Sequence, residues 1–69
     1  MPGTAEFPSS RSLTPRQREV MRWVSEGKSN WETARIIGCA EETVKKHLQK
    51  IYRQLDVANR VAAVMCFKA

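Results

Sequence analysis

Lys45, Lys46 and Gln49 follow one another closely, and Val44, Leu48, Ile51 and Leu55 recur among them at intervals of four, three and four residues. On a helix that interval makes one apolar stripe. The opposite face then carries Glu42, Lys45, Lys46, Gln49 and Arg53, flanked by Lys50 and Tyr52. The lysine, arginine and glutamine side chains of this face are hydrogen-bond donors. Lysine favours the acceptors on guanine, glutamine can pair with adenine, and the major groove of duplex DNA admits a helix that carries them. A basic amphipathic face taken alone is commonly just solvated. What favours a reading role is its setting.

Catalysis finds no support. His47 has no Ser, Cys or Asp spaced to form a pair with it, no carboxylate pair falls in a plausible cleft, and no glycine-rich loop could cradle a phosphate. Cys39 and Cys66 have no second ligand at chelating distance along the chain, and His47 lies eight residues from Cys39. No metal or cofactor is expected, no disulfide framework is present, and both cysteines read as small buried hydrophobes.

The residues before Lys45 must aim it. Ser29 and Glu32 form a capping box for a second helix whose inward positions are Thr33, Ala34 and Ile37, with Trp31 and Ile36 partly exposed. Thr33 is its weak member, since a buried hydroxyl needs a partner, here expected to be a carbonyl one turn earlier. The amides that open this helix can hold a phosphate, which makes Lys28, Ser29, Asn30 and Trp31 candidates for contacts with the nucleic-acid backbone. Gly38, Cys39 and Ala40 form a corner, with Gly38 permitting the reversal. The third helix, Glu41 to Leu55, starts at Ala40 without a side-chain cap, at a cost of about 1 kcal/mol. Glu41 and Glu42 partly offset that loss through the helix dipole.

Two further helices enclose the pair. Thr14, Pro15 and Gln17 are the cap, first position and box partner of a helix that buries Gln17, Val20, Met21 and Val24, has Trp23 at its edge and ends at Gly27. Asn59 caps a fourth, Arg60 to Lys68. There Ala62, Ala63, Cys66 and Phe67 face the core, while Val61, Val64, Met65 and Lys68 form a second side suited to another copy of the chain. The expected fold is all-α, a four-helix bundle-like helix-turn-helix domain over residues 13–69. Residues 1–12, with two prolines and Arg11 as the only cationic side chain, read as a flexible arm or linker.

The chain has 69 residues and a net charge of +5, one small domain drawn to a polyanion or an acidic surface. It has no bilayer-length apolar run and no secretory signal, so a cytoplasmic location and no membrane partner are expected. Two rivals to DNA reading stand beside it. One is a protein-interaction module whose basic helix grips an acidic partner. The other is a promoter-reading region of a sigma factor, against which the apolar fourth helix argues.

From Leu13 onward the chain resembles the LuxR-type (GerE-like) helix-turn-helix DNA-binding domain. The likeness is carried by LTPRQREVMRWVSEGKSN, by E-T-V-K-x-H in the third helix and by L-x-V-x-N-R with alanines after it, about residues 13 to 68. The resemblance implies a transcription regulator that binds double-stranded DNA and a fourth helix that makes a homodimer; a contact with RNA polymerase would be compatible with it. It further implies base-edge contacts at Lys45, Lys46 and Gln49, and phosphate contacts at Thr43, His47, Lys50 and the start of the second helix. GKSNWE is similar to the autoinducer-responsive, quorum-sensing subgroup, which implies the DNA-binding end of a longer signal-responsive regulator or a free-standing domain of that kind. Thr33, Ala40 and Asp56 depart from the usual large aliphatic, Ser and Gly. Lys46 stands where many relatives carry a small or apolar residue.

Overall fold

The computed structural model describes residues 13–69, and the arm expected over residues 1–12 lies outside them. Four helices follow in order, α1 (Pro15–Ser25), α2 (Asn30–Ile37), α3 (Glu41–Leu55) and α4 (Arg60–Lys68).

Local chemistry sets most of the boundaries. Thr14 and Gln17 form a complete capping box on α1, and Ser29 and Glu32 form another on α2. Asn59 accepts the Ala62 amide at 2.9 Å and so caps α4. Ala40 opens α3 with no side-chain hydrogen bond, as its type dictates. Gly38 ends α2 in the left-handed region at φ 79°, and Asp56 ends α3 there at φ 56°, a conformation that a residue with a Cβ visits at some cost.

Packing is centred on α3, which lies against α1, α2 and α4. Val44, Leu48, Ile51 and Leu55 are buried along it, and they meet Leu13, Val20, Met21 and Val24 from the first segment, Ala34 from α2 and Ala63 from α4. Ile37, Tyr52, Val57 and Phe67 close the edges. Polar groups join the same core. Gln17 is buried; it accepts the Thr14 amide at 2.9 Å and donates to Gln54 Oε1 at 2.7 Å, tying α1 to the end of α3. Arg16 reaches the Ile37 carbonyl at 3.2 Å and so covers the end of α2.

Several expectations need correction. The Thr33 hydroxyl is fully buried but has no hydrogen-bond partner among the described residues, so the carbonyl one turn earlier does not receive it. Cys39 and Cys66 are free and only half-buried, because each packs on the rim of the core. Trp23, by contrast, stands at the edge of the face as expected, half-buried with the Arg22 guanidinium 5.2 Å from its ring centre. Val64, read as part of the outer side of α4, is half-buried against the core; Val61, Met65 and Lys68 do face outward.

Candidate nucleic-acid interface

Burying one stripe of α3 forces its other residues outward. Lys45, Lys46, Gln49 and Lys50 are all exposed, as is Thr43, and His47 is half-buried beside the stripe. The one ion pair among the described residues is Arg16 with Glu19, at 3.1 Å. No cation of α3 forms an ion pair among the described residues, and although Glu41 and Glu42 stand one turn before Lys45 and Lys46, the net charge of this face is positive.

The start of α2 stands beside this face. Asn30, Lys45, Leu48, Gln49, Tyr52 and Arg60 line one open cleft, with no acidic residue among the described residues that line it. A second cleft shares Asn30 and Arg60 but is lined also by Lys28, Glu32 and Glu41. An anion would prefer the first. Two of the three residues expected at base edges, Lys45 and Gln49, thus share a cleft with Asn30; Lys46 lies away from it on the same helix.

The capping box decides which amides remain for a phosphate. The Ser29 amide donates to Glu32 Oε1 at 2.8 Å and the Glu32 amide to the Ser29 hydroxyl at 3.1 Å. Ser29 is thereby committed to its own helix. The amides of Asn30 and Trp31, which begin a helix and have no carbonyl one turn back to receive them, have no acceptor among the described residues. The Ser29 amide, followed by its hydroxyl, holds the Glu32 carboxyl below its ordinary range, so Glu32 stays ionised there.

The expected phosphate set divides. Lys28 is half-buried and Ser29 exposed, both near Asn30. Trp31 is 56% exposed in a separate groove with Lys28, Glu32, Arg35 and Ile36, and the Arg35 guanidinium lies 4.9 Å from its ring centre. Ile36 is also exposed. Two residues of the site went unnoticed in the sequence. Arg60 was read as the first residue of α4 and as part of the L-x-V-x-N-R motif, with no site role, and Tyr52 as a flank; an Arg directly after a helix cap carries no local signal of the bond it makes to Asn30, 30 residues away.

Comparison with known proteins gives the family. Residues 11–67 match GerE, the luxR family of bacterial regulatory proteins. The quorum sensing-dependent transcriptional regulator RpaR of Rhodopseudomonas palustris is 50% identical over 52 residues, 75% of this chain and 21% of that protein. The transcriptional activator BjaR1 of Bradyrhizobium diazoefficiens is 47% identical over 58 residues, 84% of this chain and 24% of its own. The transcriptional activator LuxR of Aliivibrio fischeri is 39% identical over 61 residues, 88% and 24% respectively. The chain spans between a fifth and a quarter of the length of these relatives.

Proposed function

The chain belongs to the luxR family of bacterial regulatory proteins, and on that premise we propose that it is the DNA-binding domain of a transcription regulator that reads duplex DNA with α3. The observation that carries the reading is the divided surface of α3. Its apolar stripe is buried against the other three helices, while Lys45, Lys46 and Gln49 are exposed and form no ion pair among the described residues. A helix so divided fits the major groove, its lysines to guanine and Gln49 to adenine. Lys28, Asn30, Thr43, His47 and Lys50 supply phosphate contacts, which provide most of the affinity and little of the selectivity, whereas Ser29 is used by the capping box and Trp31 faces a separate groove.

Two copies bind together, joined through the outer side of α4. The exposure of Val61 and Met65, each 68%, supports that side as the contact, with Lys68 at its end and Val64 contributing from the core margin. Half-sites then lie about one helical turn apart, roughly 10 bp. A transcription regulator acts where the DNA is, so the domain works in the bacterial cytoplasm; among the described residues no helix is long and apolar enough to cross a membrane. The exposed Trp31 and Ile36 share a groove and favour a protein contact, for which RNA polymerase is the partner proposed. The names of the relatives support a longer regulator responsive to a quorum-sensing signal.

Selection from a random duplex library tests the reading. A symmetric site with half-sites near one turn apart is expected, bound more tightly than a scrambled duplex of equal charge. No discrimination at any salt concentration would overturn it. Lys45→Ala is expected to relax preference at one base pair, at a cost of about 1 to 3 kcal/mol; equal loss on selected and scrambled duplexes would reassign Lys45 to the phosphate backbone.

A further inference from the structure

The Arg60 guanidinium joins two elements that the chain separates by a whole reading unit. One terminal nitrogen donates to Asn30 Oδ1 and the other to the Lys28 carbonyl, both at 2.6 Å. Both acceptors are neutral and, among the described residues, no carboxylate lies within ion-pair distance, so the bonds hold the cation without cancelling its charge. The contact also settles how Asn30 is turned. Arginine has donors only, so the atom facing it must be the amide oxygen, and the Asn30 nitrogen is left with both hydrogens and no acceptor among the described residues.

We infer that Arg60 is a positioning residue for phosphate recognition: it holds the Asn30 side-chain amide and the Lys28 backbone in the arrangement that receives a DNA phosphate, and so couples the start of α4 to the reading unit. The inference rests on the DNA-binding reading above. Two consequences separate positioning from charge alone. Lysine at position 60 keeps the charge but, as a compact ammonium, cannot present the planar fork that serves both acceptors. Asn30 and Arg60 act as one unit, so removing either should forfeit the same interaction.

The test measures binding of the chain to its selected duplex and to a scrambled one, at a temperature where circular dichroism shows each variant folded. Arg60→Lys and Asn30→Ala are each expected to weaken binding about tenfold on both duplexes, the loss of one charge-assisted hydrogen bond. The double variant should bind no more weakly than either single one. Wild-type affinity in Arg60→Lys, or losses that multiply in the double variant, would overturn the inference. If Arg60→Lys does not fold, the Asn30 side-chain amide signal of the wild type in nitrogen-15 NMR decides. It should move when duplex is added, and a signal that stays in place overturns the inference. Failure of the DNA-binding reading has a different signature, a wild-type chain that does not prefer its selected duplex.

Discussion

The beginnings of α2 and α3 lie side by side and are built in opposite ways. α2 opens with Ser29 and Glu32 in a reciprocal box and is bound from outside by Arg60. α3 opens at Ala40 with no side-chain cap and only Glu41 and Glu42 to complement its dipole. The helix proposed to hold phosphate is thus specified locally, whereas the helix proposed to read bases is held by what packs beneath it. The hydrogen bonds of a cap involve three or four neighbouring residues. The support of α3 comes from α1, α2 and α4 together.

If that contrast is right, the largest effect belongs to the core of α3. Ile51→Ala is expected to cost about 2 to 5 kcal/mol in urea unfolding, because Ile51 is fully buried and the surrounding core relaxes only partly into the space left. A cost comparable to loss of a single cap would mean that packing does not hold α3. A smaller effect of opposite sign is expected inside α2. Thr33→Val keeps the shape and removes a buried hydroxyl that lacks a partner, so stability should rise by about 1 to 3 kcal/mol. Unchanged or lower stability would show that the hydroxyl finds an acceptor in solution.

The caps themselves come next. Ala40→Ser should raise stability by about 1 kcal/mol, and Ser29→Ala should lower it by a similar amount. Equal and opposite shifts in melting temperature would sharpen the comparison; no gain from Ala40→Ser would show that the start of α3 is already satisfied by its surroundings.

The smallest effect depends on pH. The folded-state pKa of Glu32 is depressed, so the box contributes its full stability above the ordinary carboxylate range of the unfolded chain and loses it as pH falls through the lower folded value. Glu32→Gln retains the acceptor without the titration. The difference in melting temperature between wild type and this variant should be larger at pH 7 than at about pH 3. A difference that does not change with pH would remove the charge from the argument.

The corner was legible because Gly38 has few other reasons to stand between two apolar periods, and its positive φ agrees. The stripe of α3 was legible from spacing alone, and so was the missing cap at Ala40. Val64 was misplaced because α4 is apolar nearly all round, so periodicity could not say which residues face inward. Thr33 was recognised as a weak point, but a partner one turn away is a matter of rotamer and packing that residue type does not decide. The Gln17–Gln54 bond was hidden because both residues also suit an exposed surface.

Sequence by itself determined where each helix starts and stops, which stripe of α3 goes inward and therefore that Lys45, Lys46 and Gln49 face out. Those features depend on backbone hydrogen bonds and side-chain periodicity within a few residues. Only the tertiary structure decided that Asn30 is gripped by Arg60, that Lys45 and Gln49 share a cleft with it, and that Trp31 turns to another groove. These depend on where packing brings distant segments together, and a bond across 30 residues leaves no mark in the spacing of either end.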